Sequence, residues 1–279
     1  KIGVVFAGGG GKGAYEVGVW RAMQEAGICP QVVAGTSIGA LNGAALVQGN
    51  LTMAQELWSH IAAKNVLSLN MESLPVSLSG RLSSMGLDLK RLPLALRTRG
   101  LFSQQGLLDI MSEHFDFQQL SQSPTQFFVS AHNKIANKVE YFLVNQRPEE
   151  EIRNILLSSC ALPGIFDDIK IGEAIYTDGG WYWGLPHKQL DNTPVLPVYG
   201  QGCDLIILVC LSRDDLIARE QYPDARILPV VPSADLGGLI DGVVDFSNEG
   251  ALRRLELGYQ DGRKIFNQLA SFLDNDAAY

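Results

Sequence analysis

No stretch of this 279-residue sequence is apolar for long: the longest unbroken run, Leu205 to Leu211, falls far short of the ~20 residues that a membrane-spanning helix needs. The first ten residues also lack the basic, apolar and small-residue order of a signal peptide, so a soluble mature chain is expected. Basic residues are in deficit, 22 against 30 acidic ones for a net charge of -8, which disfavours a general nucleic-acid binder or a protein held on anionic membranes by charge alone. Any membrane contact has to come from a local patch. Cysteine is scarce as well: Cys29, Cys160, Cys203 and Cys210 contain no Cys-x-x-Cys pair and lie in or beside apolar segments, which reads as buried thiols rather than a disulfide frame or a zinc site. A reducing cytoplasm is the expected setting, with peripheral contact at membranes, and secretion as an effector stays open. No internal repeat and no low-complexity linker interrupts the chain, so residues 1–279 are read as one domain, and 46% hydrophobic residues suffice for one substantial core.

What the sequence does have is glycine, 29 residues of it, much of it where strand-like runs meet helix-like runs. Lys1 to Ala7 reads as a strand, Gly8 to Gly11 as a loop, and the following segment as a helix that Gly27 closes. The unit repeats: Gln31 to Ala34 is a strand, Gly35 to Gly39 a turn, and Ala40 to Gln48 a small-residue helix ending at Gly49. Two such units predict a parallel sheet covered on both faces, an α/β fold. Thr52 with Gln55 predicts a capped start for a further helix carrying Met53, Leu57, Trp58 and Ile61 on one face. Further strands are expected at Gln126 to Ser130, Val139 to Val144, Ala174 to Thr177, Leu205 to Leu211 and Ile227 to Val231. Helices are expected at Glu149 to Ser159 and from about Ile240 to Leu273. The segment of about 66–105 has no sustained period and is read as an insertion or lid. Its Lys90, Arg91, Arg97 and Arg99, beside scattered Leu and Met, could form a local patch that docks on lipid, or a loop whose arginines pair with the acidic excess.

Three segments carry chemistry. Gly35-Thr36-Ser37-Ile38-Gly39 fits Gly-x-Ser-x-Gly, a serine on a tight strand-to-helix turn whose flanking glycines permit a strained backbone. Gly8-Gly9-Gly10-Gly11-Lys12-Gly13 fits Gly-x-Gly-x-x-Gly, yet the next strand offers no acidic residue for a dinucleotide ribose, and Gly13 stands where a Walker A loop needs Ser or Thr. What remains is a loop of bare backbone N–H groups suited to a developing oxyanion, or a plain turn. Asp178-Gly179-Gly180 ends a strand with a carboxylate, and His187 follows it, so a Ser…Asp…His order on the α/β-hydrolase plan is weighed as well. Of the other histidines, His60, His114 and His132 read as surface or satisfied core residues.

Taken together and in this order, the three segments resemble the patatin-like phospholipases, relatives of the cytosolic phospholipase A2 catalytic domain. Cys160-Ala161-Leu162-Pro163-Gly164-Ile165-Phe166 is similar to the family's Ala-x-x-Pro-x-x-Phe segment, shifted by a residue. The resemblance covers roughly residues 2–215 and implies a three-layer α/β/α sandwich with a mostly parallel central sheet. It further implies a Ser-Asp dyad without histidine, with Ser37 as nucleophile, Asp178 as its base, and Gly9, Gly10 and Gly11 as oxyanion donors. Gly8, Lys12, Gly13, Gly35, Gly39, Gly179 and Gly180 complete the motifs. The implied substrate is a phospholipid or other acyl-ester lipid at a membrane surface, with no metal, no cofactor and no nucleic acid. One departure stands out: many members place an Asn two residues before a Pro after Asp-Gly-Gly, whereas Trp181-Tyr182-Trp183-Gly184-Leu185-Pro186 has Gly184 there. The Trp-Tyr-Trp run suits an acyl-chain or interface contact and a packed turn equally. The alternatives are a soluble carboxylesterase or thioesterase with a Ser-Asp-His triad, and a catalytically idle lipid-binding module.

Overall fold

The computed structural model describes residues 1–60, 68–69, 102–180, 190–215, 217 and 219–276. Most of the 66–105 segment with its four basic residues, the Trp181 to Trp183 run and His187 therefore lie outside the described residues.

The N-terminal β-branched run forms β1 (Ile2–Phe6), the helix after the glycine loop is α1 (Ala14–Glu25), and the second unit is β2 (Val32–Thr36) with α2 (Ile38–Val47). Then come α3 (Leu51–His60), the short antiparallel pair β3 (Ser68–Leu69) and β4 (Phe102–Ser103), α4 (Gln105–His114) and α5 (Phe117–Gln122). β5 (Gln126–Asn133) and β6 (Lys138–Leu143) form a hairpin, followed by α6 (Glu149–Ser159), β7 (Ile169–Ile171) and β8 (Ala174–Asp178). The chain continues through α7 (Val195–Tyr199), β9 (Leu205–Val209), β10 (Arg226–Val230) and α8 (Asn248–Asp276).

An 8-stranded sheet runs in the order β10-β9-β1-β2-β5-β8-β7, with β6 also on β5. The pairs from β10 through β5 are parallel, while β6, β8 and β7 add antiparallel pairs at the far side. Because side chains alternate between faces along a strand, Val4 and Phe6 point into the larger core with Val33, Phe127, Ile207 and Val209, and Val5 joins Val32, Ala34, Ile206 and Leu208 on the other side. Helices α1, α2, α6 and α8 contribute to the first core; the second is roofed by the shorter α7 through Val195 and Val198. The result is the expected α/β/α layering with a thin second helical layer.

Three local expectations change. The start of α3 is held by Asn50, whose side chain accepts the Met53 N–H at 3.1 Å, and not by Thr52. An Asn at that place satisfies an orphan N–H directly. Cys29 is exposed, while Cys160, Cys203 and Cys210 are buried as read; Cys29 lies in the link between α1 and β2. The helical tail is interrupted: a π-helical turn at Leu239–Val243 precedes α8, and the helix proper starts at Asn248. Among the described residues no helix is long and apolar enough to cross a membrane.

Candidate functional site

The register of the sheet brings the motifs together. Phe6 at the end of β1 is level with Gly35 on β2, and Thr36 is level with Ser130 on β5. One residue further along β5, Ala131 is level with Asp178. Ser37 and Asp178 therefore leave the sheet at the same height, separated by two strand spacings, ~10 Å between backbones. The direction of β8 makes this possible. The sequence placed Asp178 where parallel strands end, but β8 runs antiparallel along only the last three residues of β5, so its own C-terminus comes level with Ser37 across β5.

Ser37 has φ 56° and ψ -125°, a positive-φ conformation that a residue with a Cβ adopts only when its surroundings hold it there. Both neighbouring glycines are required by close approach. A Cβ on Gly35 would overlap the Gly39 carbonyl, and one on Gly39 would stand 2.7 Å from the Ala7 carbonyl oxygen. The turn is further fixed by α6: the Ser37 N–H donates to Ser159 Oγ at 2.8 Å, while the Ser37 carbonyl accepts the Ala40 N–H at 2.9 Å. Ser159 read only as the last residue of an expected helix, because nothing local to either residue signals a partner 122 positions away.

Asp178 is 1% exposed and accepts the Gly180 N–H on Oδ1 at 2.8 Å. Its own N–H donates to the Ala161 carbonyl at 2.9 Å, and the Thr177 hydroxyl donates to the same oxygen at 2.6 Å. This is what the Cys160-to-Phe166 segment does: Ala161 anchors the end of β8, while Leu162, Ile165 and Phe166 line an apolar pocket.

The support expected near Gly184 is found further on. Asn192, two residues before Pro194, donates from Nδ2 to the Gly8 carbonyl at 3.1 Å and to Asp215 Oδ1 at 2.7 Å, and its own carbonyl accepts the Gly8 N–H at 3.1 Å. A Cβ on Gly180 would overlap the Asn192 side chain. Asp191 adds its N–H to the Gly179 carbonyl at 2.9 Å and accepts the Tyr141 hydroxyl on Oδ2 at 2.5 Å. Burial raises the Asp191 carboxyl above its ordinary range despite that bond. An Asn two residues before a Pro is present in the sequence at Asn192-Thr193-Pro194, eight positions beyond Gly184.

The glycine loop closes as a 3-10 turn, Gly10–Gly13, with the Lys12 N–H on the Gly9 carbonyl at 3.2 Å. Gly10 has φ 56°, and a Cβ there would overlap the Val243 carbonyl. A Cβ on Gly11 would likewise overlap the Asp245 carbonyl, so Gly10 and Gly11 are demanded by close backbone packing, whereas a Cβ on Gly8 or Gly9 would first meet the side-chain ends of Asn192 and Leu211. Beneath the loop lies Glu16, fully buried, with Oε2 accepting from Asn42 Nδ2 at 2.7 Å; Asn42 in turn accepts the Trp58 indole N–H at 3.1 Å. Burial pushes the Glu16 carboxyl well above its ordinary range, against the Asn42 bond that lowers it.

Two cavities meet at Ser37. One is the more polar and is lined by Gly8, Gly9, Gly10, Lys12, Asp178 and Asn192 among others; the second is almost wholly apolar, with Leu41, Trp58, Leu107, Ile110, Phe115 and Phe166 in its wall. Gly10, Ser37, Leu162, Leu239 and Val243 border both. His60 and His114 lie at the ends of α3 and α4, and His132 lies on β5 level with Thr177; none of these borders either cavity. Among the described residues no group of three or more His, Cys, Asp or Glu side chains is placed to hold a metal ion.

A chain with these motifs in this geometry has relatives. The model of the patatin-like phospholipase family matches residues 4–198. Proteins named lysophospholipase nte1 from Aspergillus terreus and Aspergillus fumigatus are each 26% identical, over 228 and 227 residues, or 81% and 80% of this chain. Those stretches are only 13% of either relative, so the chain spans about an eighth of their length. Among solved structures, VipD from Legionella pneumophila superposes with a TM-score of 0.52 at 15% identity, covering 95% of this chain and 66% of that one. Human GIVD cytosolic phospholipase A2, in complex with methyl gamma-linolenyl fluorophosphonate, gives a TM-score of 0.50 at 13% identity, covering 98% and 58%. At such identities the likeness is one of fold. With the family model matching more than half of its residues, the chain belongs to the patatin-like phospholipase family.

Proposed function

We propose that this chain hydrolyses acyl esters of lipids, phospholipids foremost, through a Ser37–Asp178 dyad and an acyl-enzyme. The observation that carries the reading is the strained Ser37 turn at the junction of a polar cleft, shared with Asp178 and the glycine loop, and an apolar pocket. The ester carbonyl sits at that junction, with its acyl chain in the apolar pocket and its alcohol part in the polar cleft. The Asp178 carboxylate takes the proton from Ser37 Oγ as the oxygen bonds to the carbonyl carbon. The oxygen's negative charge develops against backbone N–H groups of Gly9, Gly10 and Gly11. Collapse breaks the carbon–oxygen bond to the alcohol, which leaves with the proton held by Asp178. Water then repeats the sequence on the acyl-enzyme, giving up a proton to Asp178 and releasing the fatty acid and Ser37. The lysophospholipase names of the curated relatives support a lipid ester as substrate.

Mass spectrometry of the products formed from vesicles of mixed phospholipids tests this directly. Release of free fatty acid and the matching lysolipid is the expected result; intact lipid after long incubation with protein that also ignores short soluble esters would overturn it.

A further inference from the structure

The C-terminal helix α8 lies beyond the residues that the family model matches, yet it reaches the glycine loop. It packs on α1 backbone against backbone: a Cβ on Gly18 would overlap the Leu255 carbonyl, and one on Gly258 would overlap the Tyr15 carbonyl. Gly250, Gly258 and Gly262 follow the same face of α8 at helical spacing, and the one long side chain in that row is Arg254, which is 1% exposed.

Among the described residues, the Arg254 guanidinium bonds to the segment leading into α8 and to the glycine loop. Nε donates to the Leu236 carbonyl at 3.3 Å, Nη2 to the Asp241 carbonyl at 2.7 Å and to Asp245 Oδ2 at 2.8 Å, and Nη1 to the Asp245 carbonyl at 3.1 Å and the Gly11 carbonyl at 3.4 Å. The carbonyls of Gly242, Val243 and Asp245 in this segment are the atoms that a Cβ on Gly10 or Gly11 would strike. Arg254 thus ties the floor on which the glycine loop rests to α8, adding to that segment's own bonds from the Val243 N–H to the Gly238 carbonyl and from the Val244 N–H to the Leu239 carbonyl.

The consequence for the loop follows from planar trans peptides, in which the C=O and N–H of one unit point in opposite directions. Arg254 holds the Gly11 carbonyl, so the Lys12 N–H of the same peptide turns the other way, onto the Gly9 carbonyl at 3.2 Å. With the Gly9 carbonyl turned inward to accept that bond, the Gly10 N–H faces out of the turn, and Gly10 borders both cavities at Ser37.

We propose that Arg254 is a positioning residue for the reaction, fixing through Gly11 and the 236–245 segment the peptide planes that aim the Gly10 N–H at the oxyanion, so that α8 is part of the reaction apparatus. This rests on the oxyanion role given to the glycine loop. A lysine is no substitute, since a single ammonium cannot reach these spread acceptors together as the planar guanidinium fork does.

The test compares wild type with Arg254→Met, Arg254→Lys and Asp245→Asn on a short soluble ester, with folded fraction taken from near-ultraviolet circular dichroism. Arg254→Met should lower kcat per folded molecule by ~10²-fold, the scale of a lost oxyanion donor, with KM nearly unchanged. Arg254→Lys should recover only a small part of the loss. Millimolar guanidinium should raise the rate of Arg254→Met and leave wild type unaffected. Arg254→Met that is folded and turns over like wild type, or a loss that merely follows the unfolded fraction, would overturn the proposal. Should Arg254→Met not fold, Asp245→Asn decides: a lowered kcat at constant KM supports the proposal and wild-type kcat contradicts it. Labelling of wild-type Ser37 by a fluorophosphonate, run alongside, separates a failure of this proposal from a failure of the proposed hydrolase chemistry.

Discussion

The hydroxyl of Ser159, at the last turn of α6, accepts the backbone N–H of Ser37 at 2.8 Å, so the strained turn that presents Ser37 is held from a helix 122 residues away in sequence. Both residues are buried. Ser159→Ala leaves the Ser37 N–H without that acceptor, a loss of ~1–3 kcal/mol for an unsatisfied buried donor. Urea unfolding should show a lower midpoint and a loss of unfolding free energy of that size, and kcat should fall with it as the turn relaxes toward ordinary φ. Unchanged stability and turnover would mean that the glycines alone hold the turn.

Asp178→Asn should cost at least ~10³-fold in kcat, because an amide cannot take the serine proton. His187→Ala should change it little. Steady-state rates of the two purified variants check this; equal and severe losses at both positions would instead call for a Ser-Asp-His triad.

Gly10→Val places a Cβ against the Val243 carbonyl at a backbone angle that β-branched residues do not tolerate. A loss of ~10²–10³ in kcat is expected, as for a misdirected oxyanion donor. A lowered melting temperature should accompany it, since the overlap is with backbone. Normal kinetics would reduce the glycines to a turn.

Glu16 gives a pH dependence with a defined sign. Burial raises its folded carboxyl well above the 4.5 of a free glutamate, so the native state keeps a proton that the unfolded chain releases. Stability is therefore greatest below that value and declines as pH rises above it, by up to ~1.4 kcal/mol per pH unit, until the folded carboxyl itself ionises. Glu16→Gln keeps an acceptor for Asn42 and removes the titration. Urea unfolding at several pH values between about 5 and about 8 should show the variant gaining on wild type as pH rises. Parallel curves would show that Glu16 does not titrate differently on folding.

How far the sequence alone led depended on whether the physical demand was local. The Ser37 turn and the glycine loop were legible because positive φ and close backbone approach select glycine at the spot itself. Glu149–Ser159 was read with its bounds intact, since acidic residues open it and its apolar period is regular. The two-residue β3 and β4 and the three-residue β7 are too short to show a period of two. The antiparallel course of β8 was hidden because the sequence of a strand does not state its direction. Asn192 was missed because it stands eight positions beyond the expected spacing after Gly180. Ser159 and Arg254 have their meaning only through partners far along the chain, Arg254 to Gly11 across 243 positions, and no pattern within either segment records them.

The most direct measurement is reaction of the purified protein with an alkyl fluorophosphonate, followed by peptide mass spectrometry and by hydrolysis assays of wild type and Ser37→Ala. A single adduct on Ser37, loss of hydrolysis in step with labelling, and no turnover by a folded Ser37→Ala variant are the expected results. An adduct on another residue, or wild-type turnover by Ser37→Ala, would contradict the assignment of Ser37 as the nucleophile.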